Sequence, residues 1–178
     1  DVKKILAEAN KKKVDAIVLD FSTNGGGSLD DAVKIAGLFF KQGNVVETNR
    51  NKLADLDPAV DYAGPLVVLT SRLSASASEI VAGALKDYDR AVIVGGDHTF
   101  GKGTVQTVIP LGQFLGAIKV TVGMFYIPGG DSTQHKGVEA DIVLPGAFST
   151  DEVGEKTLDY SLPPTKIKPF LSKAAYVK

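Results

Sequence analysis

Leu66-Val67-Val68-Leu69, the small and polar residues from Thr70 to Ala75, and Ser76-Ala77-Ser78-Glu79-Ile80-Val81-Ala82-Gly83-Ala84-Leu85-Lys86-Asp87 form one continuous run. It predicts a buried strand, a narrow turn and a helix over 76–87. The four-residue apolar run is too short for a helix and suits a strand covered by packing. Ala91-Val92-Ile93-Val94 repeats the strand pattern and is stopped by Gly95-Gly96. Strand, helix, strand in this order predicts a parallel crossover unit.

The flanking sequence extends the same scheme toward the N-terminus. Ala16-Ile17-Val18-Leu19 predicts another buried strand. Asp20 to Ser28 is a loop containing Asn24-Gly25-Gly26-Gly27. A helix follows over 29–41, with Ala32, Val33, Ile35, Ala36, Leu38 and Phe39 as its core stripe. A helix over 1–13 has Val2, Ile5, Leu6 and Ala9 at helical spacing. Val45-Val46 predicts a short strand, and 49–63 a polar loop. After Gly103 the pattern changes. Thr104 to Ile109 and Ala117 to Tyr126 alternate apolar and polar residues around Pro110-Leu111-Gly112, which predicts an antiparallel hairpin. Val138 to Leu144 predicts a further strand. Residues 146–178 lack periodicity apart from a short helix near 169–176. The expected fold class is therefore α/β, parallel βα units with an added antiparallel β-hairpin. The expected organisation is a core over 1–145 and an extension over 146–178 that packs on the core or on a partner.

The chain has 178 residues, 44% hydrophobic and 23% charged, enough for one domain with a sizeable core. Its net charge of −1 gives no polybasic patch for nucleic acid or anionic lipid. No apolar run approaches the ~18 residues of a membrane span. The absence of cysteine removes thiol catalysis and Cys-type zinc sites, and two histidines are too few for a zinc centre. No cofactor is implied. The first residue is Asp1 rather than Met, so the chain reads as a fragment and its missing signal peptide says little about compartment.

Two segments carry chemistry. Ser74, Ser76 and Ser78 sit where a strand turns into a helix, a place where a side chain meets backbone N–H groups. Phe100-Gly101-Lys102-Gly103-Thr104-Val105-Gln106 puts a lysine between two glycines. A serine nucleophile with a lysine base hydrolyses an amide without histidine, cysteine or metal. The base must be neutral, and burial lowers a lysine pKa from its free value near ~10.4. Asn24-Gly25-Gly26-Gly27 offers N–H groups for a developing oxyanion, with the Ala77 N–H as a second donor. Each segment also has a plain reading. Ser76 and Glu79 have capping-box spacing. Lys102 fits an exposed loop, Gln106 a surface strand position, and the glycines a tight turn. Gly96 to Lys102 matches the first part of a phosphate-binding loop, but Gly103 stands where Ser or Thr should follow. A Ser-His-Asp set using His98 with Asp87 or Asp97 ranks below the lysine. Asp87 reads as solvated or paired with Lys86 or Arg90.

Taken together, these segments resemble the tail-specific, or C-terminal processing, proteases of the S41-type serine peptidase family. The matching stretches are Ile17-Val18-Leu19-Asp20, Asn24-Gly25-Gly26-Gly27, Gly64-Pro65-Leu66-Val67-Val68-Leu69 and Ser74 to Ile80. Asp87-Tyr88, Arg90-Ala91, Thr99 to Gln106, Gly130-Asp131-Ser132-Thr133-Gln134 and Lys136 to Pro145 follow. The resemblance implies a core related to Clp-type protease subunits and crotonases. It implies Ser76 as nucleophile, Lys102 as general base, Gln106 as the residue orienting the lysine, and Glu79 as a supporting polar group. It implies an oxyanion hole from the Ala77 N–H and that of Gly27 or Gly26. It implies protein or peptide substrates with exposed C-terminal tails, and a bacterial periplasmic or cell-envelope setting. A homo-oligomer is compatible with it.

Three departures stand out. Phe21-Ser22 replace the usual Leu-Arg, the loop from Gly95 to Lys102 is one residue longer, and the PDZ domain that usually precedes the core is not in this sequence. The intact protein is expected to be a protease even if this segment alone is inactive. The competing expectations are a crotonase-like acyl-CoA enzyme using the same oxyanion donors, and a non-catalytic peptide-binding module.

Overall fold

The structure, a computed structural model, describes residues 1–49 and 51–175. Its order is α1 (Val2–Lys12), β1 (Ile17–Asp20), α2 (Leu29–Gly37), β2 (Gly43–Thr48), β3 (Lys52–Asp55), β4 (Leu66–Thr70), α3 (Ala77–Asp87), β5 (Val92–Gly95), β6 (Thr104–Pro110), β7 (Ala117–Tyr126) and β8 (Ile142–Val143). Two 3₁₀ turns, Glu155–Thr157 and Lys173–Ala175, follow.

The strands form two sheets. One runs β1-β4-β5-β8 and is parallel throughout. The other runs β3-β2-β7-β6 and is antiparallel. The mixed α/β class expected from the sequence is observed. The hairpin β6–β7 is half of the larger antiparallel sheet.

The parallel sheet buries alternate rows. Leu19, Val68 and Ile93 stand in register, and Val68 and Ile93 are fully buried. One residue earlier, Val18, Val67 and Val92 stand in register, and Val18 and Val92 are exposed at 56% and 43%. The continuous apolar runs predicted strands covered on both faces; only one face is well covered among the described residues. On the covered side, Phe39, Phe40, Val45, Val46, Ile80, Leu85 and Phe125 fill the core between the sheets and α2 and α3.

Three boundaries differ from expectation. The helix predicted to reach 41 ends at Gly37, because the next turn sends both Phe39 and Phe40 into the core. At Gly37 an added Cβ would sit 2.4–2.8 Å from the Asp55 side chain, so β3 packs directly on the helix end. The polar loop over 49–63 contains β3, an edge strand whose Lys52 pairs with Glu47 directly opposite at 3.2 Å. Charge on an edge strand prevents further strand pairing and hides the strand in the sequence. Of the strand expected over 138–144, only Ile142–Val143 is ladder-paired. Before it, Val138 and Ala140 bond to Thr99 and Asp97 in the loop after β5. Of the short helix expected near 169–176, Lys173–Ala175 is a 3₁₀ turn, and residue 176 lies outside the described residues.

Beyond Pro145 the chain runs back along the molecule. The Glu155 N–H donates to Phe100 O at 2.9 Å, Ile167 N–H to Gly130 O and Phe170 N–H to Pro128 O, both at 2.8 Å. Phe170 and Ala175 are buried. No helix among the described residues is long and apolar enough to cross a membrane.

Candidate active site

The turn between β4 and α3 separates the three serines. The Ser74 hydroxyl is buried and donates to Phe21 O at 2.7 Å. The Ser78 hydroxyl is buried and donates to Asn24 O at 3.0 Å. Both tie the start of α3 to the glycine loop after β1. Ser76, between them, is half-buried and lines a cleft of about 390 Å³. Its backbone is held at φ 59°, ψ −116°. A β-carbon residue in such a conformation costs of order 1–3 kcal/mol and persists only where the surroundings impose it.

Gly26 imposes part of it. With φ 103°, it approaches so closely that a Cβ there would meet Ala75 O at 2.6 Å, Ser76 Cβ at 2.8 Å and Ala77 N at 2.9 Å. Its own N–H is taken by Asn24 Oδ1 at 2.9 Å. Gly27 lines the cleft with Ser76 and Ala77. Phe21 and Ser22, where an arginine was expected, serve the same scaffold: Phe21 O accepts from Ser74, and Ser22 O from the Ser71 hydroxyl.

Glu79 joins the two motif segments. It is fully buried one turn into α3. Its Oε2 accepts from the Ser76 N–H at 2.7 Å and the Lys102 N–H at 3.0 Å. Its Oε1 accepts from the Gly101 N–H at 2.7 Å and the Thr99 hydroxyl at 2.6 Å. Burial pushes its carboxyl up to about 7, against those four donors. The capping-box reading therefore holds, and the same carboxyl also fixes the lysine loop onto the serine turn.

Lys102 itself is half-buried, and its Nζ donates to Gln106 Oε1 at 2.8 Å. Burial holds its amine below the usual lysine range. The main chain around it is fully engaged. The Thr133 hydroxyl donates to Lys102 O at 2.8 Å, and the Gly103 N–H donates to Gln134 Oε1 at 2.8 Å. Phe100 N–H donates to Ser74 O at 2.9 Å. Gly103 leads into β6 rather than a helix, so the Gly96–Lys102 segment is not a phosphate-binding loop. A register shift between Val105 and Gln106 falls where β6 borders the cleft; bulges of this kind re-aim side chains.

One cleft is lined by Gly27, Ser76, Ala77, Lys102 and Gln106, together with Leu29, Ile80, Thr104, Val105, Lys119 and Phe125. Glu79 lies behind its wall. Gly26 lines a separate hollow of about 200 Å³ on the α2 side of the glycine loop. His98 is not in the cleft. Its Nε2 is 3.9 Å from Asp97, which is engaged by Arg72. Asp87, expected in solvent or paired with Lys86 or Arg90, instead accepts from the Gly129 N–H at 2.6 Å, and burial pushes it up to about 6. Lys86 pairs with Asp141 at 2.6 Å, and Arg90 donates to carbonyls of Phe39, Tyr62 and Gly64.

Sequence reading missed four supports of the site. Thr99 is fully buried and bridges Glu79 to the Val138 N–H. Gln134 is fully buried and spans from Gly103 to Leu162 O. Arg72 makes a two-pronged contact with Asp97, at 2.9 and 2.6 Å, and donates to Thr150 O and Val153 O. Glu155 is buried near Lys102. Thr99 and Gln134 fall inside recognisable motif stretches; Arg72 and Glu155 carry no local signal.

Comparison with known proteins identifies the family. The model of "Peptidase family S41" matches residues 1–144. A tail-specific protease of Haemophilus influenzae is 42% identical over 94% of this chain and 26% of its own length. A carboxy-terminal-processing protease of Bartonella bacilliformis is 42% identical over 80% of this chain and 34% of its own length. Among solved structures, the photosystem II D1 C-terminal processing protease superposes with TM-score 0.74 and 33% identity, covering 86% of this chain and 44% of that one. The chain thus spans about a quarter to a third of the length of these sequence relatives. It belongs to peptidase family S41.

Proposed function

We propose that residues 1–145 are the catalytic core of a serine endopeptidase of the tail-specific type, with 146–178 as an extension. The observation that carries the reading is the single cleft lined by Gly27, Ser76, Ala77, Lys102 and Gln106. The names of the relatives favour protein substrates processed near their C-termini.

In this mechanism Lys102, as the free amine, takes the Ser76 hydroxyl proton while Oγ attacks the peptide carbonyl carbon. The carbonyl oxygen becomes an oxyanion that accepts from the Ala77 and Gly27 N–H groups. Ala77 begins α3, so its N–H lies at the positive end of the helix. Gly27 suits the second donor better than Gly26, whose N–H is already bonded to Asn24. The tetrahedral species expels the amine, which receives the proton from Lys102, leaving an acyl ester on Ser76. Lys102 then deprotonates a water that cleaves the ester and restores the serine. The hydrogen bond to Gln106 Oε1 keeps the amine oriented. Burial lowers its proton affinity toward the working range.

The test is cleavage of an unstructured protein ending in small apolar residues by the full-length protein. Ser76→Ala and Lys102→Ala are each expected to lower kcat by more than about a thousandfold. Cleavage at wild-type rate with Ser76 removed would refute the reading. The bacterial relatives fit a periplasmic or cell-envelope setting, which fractionation of the source cells checks.

A further inference from the structure

Two charged side chains that the proposed reaction does not use come close to Lys102 from different elements. Lys119 stands on β7 opposite Val108, and Gln106 stands opposite Thr121. In an antiparallel pair, directly opposed residues share a face, and diagonal partners lie about 7–8 Å apart. Gln106 and Lys119 are such diagonal neighbours, and both line the cleft with Lys102. Among the described residues Lys119 has no ion pair or side-chain hydrogen bond.

Glu155 arrives from the segment after β8. Its N–H donates to Phe100 O, two residues before Lys102. Its Oε1 accepts from Gln134 Nε2 at 3.4 Å, and the other end of that amide holds the Gly103 N–H. Arg72 pins the approach to Glu155 through Thr150 O and Val153 O. The lysine loop is thus flanked by a fixed anion, and its amine shares a cleft with a second cation.

We propose that Lys119 and Glu155 are opposed positioning residues for the Lys102 base, the first favouring its free amine and the second its ammonium. This rests on the Ser76–Lys102 reading. Like charge disfavours the protonated lysine and opposite charge favours it, which is the sense in which both groups act on Lys102. The remaining charged group facing it is Glu79 from α3, which also favours the ammonium. His135, beside Gly101, is held by its ring to Ser161 Oγ at 2.9 Å. Lys119 is exposed and the only cation among these neighbours. Its loss leaves the acidic side chains of Glu155 and Glu79 as the charged neighbours of the base.

The experiment is the pH profile of kcat/KM in the full-length protein, on an uncharged, end-blocked peptide, from pH 6 to 10. Lys119→Met is expected to move the ascending limb to higher pH, with activity at pH 7 about two- to fivefold lower. Lys119→Arg restores the wild-type limb. Glu155→Gln moves the limb the other way, raising relative activity at low pH. Salt near 1 M, which screens within about 3 Å, shrinks the Lys119→Met shift. A limb unmoved by Lys119→Met, while Ser76→Ala and Lys102→Ala abolish cleavage, overturns this inference and leaves the dyad standing. Cleavage surviving Ser76→Ala overturns the dyad itself. A plateau lowered at every pH, with no displacement, assigns Lys119 to substrate binding and also overturns the inference. Because Lys119 is exposed, its variants test the idea even if the buried Glu155→Gln fails to fold.

Discussion

Ser76 owes its distinction to its neighbours. Three serines alternate with alanines, and nothing local ranks them. Burial ranks them, because Ser74 and Ser78 spend their hydroxyls on carbonyls of the glycine loop. Ser76 is left at the cleft with a left-handed φ. Gly26 should then be intolerant of any side chain. Gly26→Ala is expected to destabilise by about 1–3 kcal/mol and to lower kcat, as read by urea unfolding and cleavage rates. Glu79→Gln replaces an acceptor that serves four donors with one that brings its own N–H₂. It is expected to lower kcat about tenfold to a hundredfold with little change in KM, since it shifts the serine and lysine main chains together. Equal kcat with raised KM would contradict that role. At this scale the sequence indicated which residue types matter and their order. It did not separate the capping role of Glu79 from its bridging role, because Gly101 and Lys102 are 22 and 23 residues away.

Among the elements, those with strong periodicity were legible. The parallel βα units and the β6–β7 hairpin follow from apolar runs and alternation, and the described strands fall on them. Edge strand β3 was hidden because its charges look like loop chemistry; β8 falls inside the strand expected over 138–144 but is shorter, because most of that length bonds to loop atoms instead of a ladder. The end of α2 was overestimated because helical periodicity cannot distinguish Phe39 on a helix from Phe39 in a buried turn. Helix α3 is the element that most directly carries the site. Its Ile80 is buried and also lines the cleft. Ile80→Ala is expected to cost about 2–5 kcal/mol in chemical denaturation. Arg72, a single side chain linking the turn before α3 to Asp97 and to residues 150–153, has no periodic signature at all. Arg72→Ala is expected to speed hydrogen exchange at the Glu155 N–H and to destabilise by about 2–4 kcal/mol.

For the whole molecule, the three most strongly shifted carboxyls give the pH dependence its sense. Glu79 at about 7 and Asp87 at about 6 lie above their unfolded values, so the folded state binds more protons than the unfolded state between about pH 4 and 7. Their contribution is fully present below that window and is lost as pH rises through it. Asp97, held at about 2 by Arg72, acts in the opposite sense, and its contribution is lost as pH falls from about 4 toward 2. Thermal unfolding between pH 3 and 8 should therefore show greatest stability in the mildly acidic range. Glu79→Gln should flatten the decline toward neutral pH, and a decline of unchanged slope would contradict the assignment. The proposed reaction, which needs the free Lys102 amine, is favoured by rising pH, in the sense opposite to this contribution to stability.

The proposed reaction depends on Ser76 forming an ester. The most direct test is a serine-hydrolase probe carrying an electrophilic phosphorus, applied to the full-length protein at pH 8, with the adduct located by peptide mass spectrometry. One adduct on Ser76, abolished by Lys102→Ala, is the predicted result. Active protein that cleaves its substrate while Ser76 stays unlabelled, or that carries the adduct on another residue, would contradict it.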